Sequence, residues 1–179
     1  MHKGIQIGAK PDAGFDDPLG MLKDCHRRIE NFLNVLCVVV SRARGRGLTE
    51  EETSAIQAAL HYFRVGGQRH SADEEQSLFP RMRAADAAAR FEEIGGLEHD
   101  HRQADEMHRR VDALYSTWIA SGLLSSKQHE ELATAARNLG QLYERHIQFE
   151  EQVVFPRAAQ LLKADALAAM GQEFKARRT

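Results

Sequence analysis

Residues 70–80 read HSADEEQSLFP, and residues 146–156 read HIQFEEQVVFP. Both stretches follow the pattern His-x3-Glu-Glu-Gln-x2-Phe-Pro, so the chain carries one motif twice. Residues i and i+4 lie on the same face of an α-helix, and each copy therefore places an imidazole beside a carboxylate, His70 beside Glu74 and His146 beside Glu150. One such pair alone is more typical of a solvated helix surface. The repetition favours a site that binds one ion or a pair of ions.

The apolar residues around both copies recur at helical spacing, which places the two pairs on inward helix faces. In the second helix this face runs from Ile56 to Leu78 and is interrupted at Gly66. In the fourth helix it runs from Leu132 through the motif to Val153. Burying an imidazole or a carboxylate without a partner is costly, so two buried pairs require an explanation such as a bound metal ion.

Helix start and stop signals divide the chain into four long helices. The first begins at Asp17, followed by a proline that suits a first helical turn, and stops near Gly45. The second begins at the capping box of Thr49 and Glu52. The third is expected from about residue 87 to residue 118, and the fourth from Ser125 or the residue after it.

Long helices joined by short connections predict an all-α fold, an up-down-up-down four-helix bundle with a short C-terminal helix. We assign residues 1–15 to a flexible N-terminal leader and residues 16–163 to the bundle. Residues 164–179 form the short C-terminal helix and tail. Metal sites in such bundles are built from side chains that point inward between the helices.

A rotation of about 100° per residue separates the inward histidines from the others. His26 and His101 lie on the inward faces of the first and third helices. His61 and His99 are expected to face solvent, and His129 lies about 100° off the inward face of the fourth helix.

If the helix ends align, a rise of about 1.5 Å per residue brings six inward residues into one layer. We predict these as the metal ligands: His26, His70, Glu74, His101, His146 and Glu150. The second glutamate of each motif, Glu75 or Glu151, is turned about 100° further and is expected to be solvated or to support a ligand. Asp105 flanks the layer, and His108 faces inward about 10 Å further along the axis, so both are candidates outside the six.

Four imidazoles and two carboxylates form a nitrogen and oxygen donor set without thiolate. Such a set suits iron, manganese or zinc better than copper(I) or an iron–sulfur cluster. Glu74 and Glu150 come from different helices, and each can bridge two ions. The residues therefore predict a dinuclear centre.

Over roughly residues 18–160 the sequence resembles the hemerythrin-like (HHE cation-binding) family. The resemblance rests on Cys-His-Arg-Arg-Ile-Glu around His26, Glu-His-Asp-His-Arg around His101, and the two His-x3-Glu pairs with their Glu-Glu-x3-Phe-Pro tails. It implies a non-haem di-iron site, with two iron ions bridged by carboxylate, that is able to bind dioxygen or related small ligands. Zinc and manganese are the alternative metals. Ferritin-like di-iron proteins use Glu-x2-His, the reverse order, and do not fit.

One departure from the oxygen-carrying members of that family matters. Those proteins use five histidines, two of them at i and i+4 on the third helix. Here the positions four residues from His101 are Asp105 and Leu97, so that pair is absent. The departure weighs against simple reversible oxygen carriage and leaves sensing, nitric oxide binding and oxidase-like chemistry open.

The favoured function is a binding protein rather than an enzyme, one that binds O2, NO or a related small ligand, or that senses redox state. An alternative is a di-iron oxidase, peroxidase or iron-repair enzyme, in which Tyr143, one turn before His146, is redox-active or donates a hydrogen bond. A third is a regulatory interaction module that metal ions stabilise. The sequence does not identify a protein partner.

Composition limits the other partners. The chain has 24 Lys and Arg against 26 Asp and Glu, a formal net charge of −2, which gives no electrostatic basis for binding nucleic acid or an anionic membrane. No apolar stretch approaches the roughly 20 residues that span a bilayer, and the N-terminus has no signal-peptide core. We therefore expect a cytoplasmic protein. Cys25 and Cys37, about 18 Å apart along one helix, are expected to be reduced thiols.

Overall fold

The computed structural model describes residues 13–86 and 91–179. The predictions for residues 1–12 of the leader and for a helix start at residue 87 lie outside these ranges. Three helices are regular throughout. Helix α1 spans Pro18–Arg42, α3 spans Glu92–Ser121 and α5 spans Ala164–Ala176.

Helices α2 and α4 are each continuous but contain π-helical turns. Helix α2 covers residues 50–85 and consists of Glu50–Tyr62, Gln68–Asp73 and Phe79–Ala85, joined by π-turns at Phe63–Gly67 and Glu74–Leu78. Helix α4 covers residues 126–161 and consists of Ser126–Phe149 and Phe155–Leu161, joined by a π-turn at Glu150–Val154. A π-turn takes up one extra residue and occurs mostly at functional sites. In each helix one π-turn begins at the first glutamate of the repeated motif.

Local side-chain chemistry fixes where the helices begin and end. Asp17 caps α1, and Thr49 and Glu52 form the predicted capping box of α2. Ser125 forms an equivalent box at the start of α4. Helix α3 ends at Gly122, whose φ of 77° lies in the left-handed region that glycine adopts without strain.

The four long helices pack in a ring, in which α1 and α3 each contact both α2 and α4. Short connections join successive helices, so neighbouring helices run antiparallel. The prediction of an all-α four-helix bundle with a short C-terminal helix is confirmed, and no strand occurs in the part of the chain that the structure describes. In the described ranges, none of the helices combines the length and the apolar character needed to cross a membrane.

The apolar core has two parts, which lie on either side of one polar layer. The first core cluster includes Leu36, Ile56, Trp118 and Leu139. The second core cluster includes Phe79, Ile94, Phe155 and Phe174. Along each long helix, the change from one cluster to the other occurs at a buried histidine or glutamate. The layer predicted from helical periodicity therefore divides the core.

The prediction for the inward face of α4 is wrong at its last position. Val153 is 43% exposed, whereas Val154 is 1% exposed and belongs to the second core cluster. The π-turn that begins at Glu150 widens the helix by one residue, so the inward face continues at Val154 and Val153 turns outward. His129, although rotated off the inward face, is also buried, because its ring packs edge-on against Trp118 with centroids 5.3 Å apart.

Helix α5 packs against α1 and the middle of α2, beside the second core cluster. Met170 and Phe174 are completely buried there. A Cβ atom at Gly171 would overlap the backbone carbonyl oxygen of Phe15, so only glycine allows this close approach. The helix is thus part of the packed structure.

Candidate metal centre

The six residues predicted as ligands come together in the polar layer. They form two overlapping groups whose possible ligand atoms all lie within 4.8 Å of one another. The first group consists of His26, His70, Glu74 and Glu150, and the second of Glu74, His101, His146 and Glu150. Both glutamates belong to both groups, and all six side chains are buried. The arrangement offers two neighbouring cation positions joined by two carboxylates.

The Nε2 atom of each histidine points towards a shared carboxylate. In one half of the layer, His26 Nε2 lies 3.1 Å from Glu150 Oε2, and His70 Nε2 lies 3.5 Å from Glu74 Oε1. In the other half, His101 Nε2 lies 3.3 Å from Glu74 Oε2, and His146 Nε2 lies 3.3 Å from Glu150 Oε2. The two halves correspond closely, as expected for two copies of one motif on α2 and α4.

The second glutamate of each motif supports a histidine on a neighbouring helix. Glu151 Oε1 on α4 lies 2.9 Å from His26 Nδ1 on α1. Glu75 Oε1 on α2 lies 2.8 Å from His101 Nδ1 on α3. A carboxylate at Nδ1 favours the tautomer that leaves Nε2 free as a metal ligand and fixes the orientation of the ring. The structure therefore shows both expected features of these glutamates, because each side chain is 39% exposed and also contacts a histidine.

The remaining two histidines differ from each other. Asp100 Oδ2 lies 3.5 Å from His146 Nδ1, a longer contact of the same kind. Both ring nitrogens of His70 are buried and make no hydrogen bond within the described residues. Helical periodicity does not predict the contact of Asp100, because this residue lies directly before a predicted ligand and not at helical spacing from one.

The phenylalanines of the two motifs enclose the layer. Phe155 stacks on His26 with ring centroids 5.3 Å apart, and Phe79 stacks on His101 at 6.4 Å. Both phenylalanine side chains are almost completely buried. They exclude water from one side of the layer, which strengthens electrostatic interactions within it.

Unsatisfied polar atoms at the centre test whether the residues fit bound cations. The buried atoms without a correctly oriented hydrogen-bond partner include His26 Nε2, both ring nitrogens of His70, and all four carboxylate oxygens of Glu74 and Glu150. Leaving a buried polar atom unpaired costs about 1–3 kcal/mol, so such a concentration is unfavourable for the protein alone. All these atoms belong to His26, His70, Glu74 and Glu150, the four side chains of the first group. Imidazole nitrogens and carboxylate oxygens are suitable donors for iron, manganese or zinc, and the residues fit such a group.

Charges at the centre are unequally distributed without a metal. Burial would lower the pKa of His26 and of His146, but the contact with the Glu150 carboxylate outweighs burial and raises both. Burial and the charge of His26 lower the pKa of His70 well below its ordinary value. Burial raises the pKa of Glu74 well above its ordinary value, and the negative charge of Glu150 adds to the shift.

Glu150 behaves in the opposite way to Glu74. Burial alone would raise its pKa, but contacts with His146 and His26 hold the pKa well below the ordinary range. In the metal-free protein these shifts therefore favour an ionised Glu150 beside protonated His26 and His146, and a protonated Glu74. Cations at the two positions would replace these protons, because metal ligands must be neutral imidazoles and ionised carboxylates.

The other candidate residues lie outside the two groups. Asp105 Oδ1 accepts a hydrogen bond of 2.8 Å from Gln68 Nε2, and His108 Nε2 lies 3.1 Å from the Tyr143 hydroxyl. Leu97 belongs to the second core cluster. His61 and His99 are exposed, as their rotation predicts. Cys25 and Cys37 are free thiols.

A surface pocket of about 360 Å³ reaches the centre between α3 and α4. It is lined by Glu93, Gly96, Leu97, His99, Asp100, Arg145, His146 and Phe149. His146 is the one predicted ligand among the lining residues, and its side chain is only 1% exposed. The pocket therefore ends beside the centre, at the buried side chain of His146.

Two comparisons place the chain among known proteins, and the first of them agrees with this geometry. The sequence model of the family described as Hemerythrin HHE cation binding domain matches residues 17–170. An uncharacterized protein of Haemophilus influenzae (strain Rd) is 26% identical over 171 residues, which cover 93% of this chain and 92% of that protein. The relative's name states no function. The family match includes all six predicted ligands.

Proposed function

The chain belongs to the hemerythrin HHE cation-binding family, and on this premise we propose that it is a non-haem di-iron protein. Its centre binds O2, NO or a related small ligand, or responds to redox state. The observation that carries the proposal is the sharing of Glu74 and Glu150 by two buried groups of ligand atoms. Shared carboxylates and unpaired buried oxygens are expected where two cations lie side by side.

The proposed ligand sets follow from the two groups. His26 and His70 would hold one ion and His101 and His146 the other, with Glu74 and Glu150 common to both groups. Iron is favoured by the family, and the absence of thiolate from the donor set also supports it; zinc and manganese are the alternatives. A pair of iron ions supplies reversible electron transfer and coordination positions for small diatomic ligands.

The protein's own residues prepare the centre for this role. Glu75 and Glu151 orient His101 and His26 through Nδ1, so that Nε2 of both rings faces inward. Phe79 and Phe155 exclude water beside the same two rings. Position 105 carries an aspartate, hydrogen-bonded to Gln68, in place of a fifth histidine, so a small ligand would meet one protein donor fewer at the metal.

A specific contact supports an enzyme as the second candidate. The ring of Tyr143 packs edge-on against His146 with centroids 6.3 Å apart, and its hydroxyl group lies 3.1 Å from His108 Nε2, within hydrogen-bond distance. Burial lowers the pKa of His108 to about 4, so the ring is neutral at physiological pH. A tyrosine bonded to a base beside a metal centre suits oxidase, peroxidase or iron-repair chemistry.

Metal analysis of anaerobically purified protein, combined with absorption spectra, tests the proposal. We expect two iron ions per chain and reversible visible bands when the reduced protein is exposed to air or to NO. Catalytic turnover of hydrogen peroxide, lost in Tyr143→Phe, would favour the enzyme. Colourless protein loaded with zinc would indicate a structural metal and a regulatory interaction module. Protein without bound metal would contradict the proposal.

A further inference from the structure

A network of charged side chains joins α5 to the part of α2 that carries Glu74. Asp73, the residue before Glu74, is completely buried. Its carboxylate accepts hydrogen bonds of 2.7 Å from Arg177 and 2.6 Å from Arg178, at the end of α5. Hydrogen bonds between charged groups are the strongest class in proteins, and a buried carboxylate that loses its partners is strongly destabilising.

The same network reaches into the π-turn that begins at Glu74. Ser77 is completely buried, its hydroxyl donates to the Glu173 carboxylate, and its oxygen accepts a hydrogen bond of 2.6 Å from Arg177. Arg81, just after the π-turn, binds Glu173 at 2.6 Å. Helix α5 is thus bonded to α2 both before and after Glu74.

The second copy of the motif has no such network at the matching positions. Phe149 and Val153 stand on α4 where α2 has Asp73 and Ser77. Phe149 packs against the second core cluster, and Val153 is 43% exposed. Of the two π-turns that carry bridging glutamates, α5 therefore binds the one at Glu74 through ionic contacts at these positions.

We propose that Asp73, Arg177 and Arg178 position Glu74, so that docking of α5 and metal binding are coupled. The inference rests on the proposed function, because it takes Glu74 as a ligand of both ions. A π-turn is rare and persists where its surroundings hold it in place. The network holds the turn from outside, and the cations hold its glutamate from inside.

The coupling is reciprocal, as thermodynamic linkage requires. Docked α5 strengthens metal binding, and bound metal protects α5 from undocking. When α5 undocks, it uncovers Met170 and Phe174, which are completely buried in the docked helix. Loss of metal therefore increases the apolar area exposed at the surface. Exposed apolar patches of this kind mark interaction sites.

The first test compares iron affinity in full-length protein. Ferrous iron is titrated anaerobically against a competing chelator in wild type, in Arg177→Ala/Arg178→Ala and in Arg83→Ala. Arg83 is the control, because it also lies on α2 and also forms an ion pair. Its partner is Glu98 on α3, at 2.9 Å, and neither residue belongs to the network. Removing groups that orient a ligand typically lowers metal affinity about 10–100-fold. We expect a loss of that size in the double variant and a change of less than about twofold in the control.

The second test uses amide hydrogen exchange of the same proteins. We expect iron to slow exchange across residues 164–176 in wild type and to do so much less in the double variant. In the double variant, exchange should increase at residues 74–78 while residues 150–154 stay close to wild type. Equal increases in amide exchange at both π-turns would show that the arginines contribute general stability only, and would overturn the inference.

Two conservative variants keep the test decisive if the double variant does not fold. Asp73→Asn removes the charge at the centre of the network, and Arg178→Lys keeps a charge but loses the planar fork. We expect Arg178→Lys to lose less iron affinity than Arg178→Ala. Wild-type affinity in Asp73→Asn, together with faster exchange in α5, would overturn the coupling. Failure of the proposed function is distinct, because the wild type itself would then bind no iron.

Discussion

The Nδ1 atom of His26 on α1 lies 2.9 Å from Oε1 of Glu151 on α4, 125 residues away in the chain. On the opposite side of the ring, Nε2 lies 3.1 Å from Glu150. Two adjacent glutamates on one helix therefore contact both nitrogens of one imidazole on another. Glu74 and Glu75 have the same relationship to His101. The Glu-Glu doublet of each motif supplies one carboxylate that belongs to both candidate ligand groups and one that contacts a histidine at Nδ1.

The two glutamates of each doublet should affect metal content to different extents. Glu74→Ala or Glu150→Ala removes a carboxylate shared by both cation positions, so we expect loss of bound metal. Glu75→Ala and Glu151→Ala remove only the group that orients a histidine and should weaken binding about 10–100-fold. Chelator titration followed by metal analysis measures the difference. Equal losses in the two classes of variant would contradict the assignment.

The stability of the metal-free protein should fall as pH rises above about 6.5. Because the pKa values of His26 and His146 are raised in the folded protein, protonation of these rings stabilises the fold at pH values below their pKa in the unfolded chain. This contribution is lost as pH rises through their higher pKa values in the folded protein. The raised pKa of Glu74 acts in the same direction above about 4.5. His70 acts oppositely, because its lowered pKa stabilises the fold above about 6.5 and loses that contribution as pH falls.

The metal-loaded protein should show the reverse trend. Metal binding requires neutral imidazole and ionised carboxylate, so its affinity rises with pH and protons are released. Thermal unfolding of both forms between about pH 6.5 and 8.5 measures the difference. In a chain of this size, each kcal/mol of unfolding free energy shifts Tm by about 2–4 °C. A gap between the two Tm values that narrows as pH rises would contradict the charge distribution described above.

Neighbouring valines test the π-turn of α4. Val154→Ala removes buried side-chain volume from the second core cluster and should cost about 1–3 kcal/mol of unfolding free energy. Val153→Ala, at an exposed position, should change it by less than about 0.5 kcal/mol. Denaturant unfolding measures both. A regular α-helix would place both valines near the inward face, and comparable losses would therefore argue against the π-turn.

Two helical glycines test the packing of α5. Gly171→Ala places a methyl group against the backbone of Phe15 and should destabilise the protein by about 1–3 kcal/mol. Gly95→Ala is the control, because a Cβ there meets open space in the interior of α3. That change should be neutral or stabilising by up to about 1 kcal/mol. Equal stability of both variants, measured by thermal unfolding, would show that α5 does not pack closely against Phe15.

The sequence by itself determined the helices and the faces on which their polar residues lie. Helical periodicity is a local property, and it was sufficient to place His26 and His101 inward and His61 and His99 outward. Repetition of the His-x3-Glu pair then indicated a shared site, because one buried pair is ambiguous and two on inward faces are not. The capping box of Thr49 and Glu52 predicted the start of α2 for the same local reason.

Only the tertiary structure decided which side chains meet. The contact of Glu151 with His26 and the burial of His129 against Trp118 join residues of different helices, and their distances depend on how those helices pack. The π-turn at Glu150, which turns Val153 outward, contains two glutamates that contact His26 and leaves no periodic signal. The binding of Asp73 by the end of α5 was equally inaccessible, because a short charged tail can lie in many places until the folded core leaves one surface that matches it.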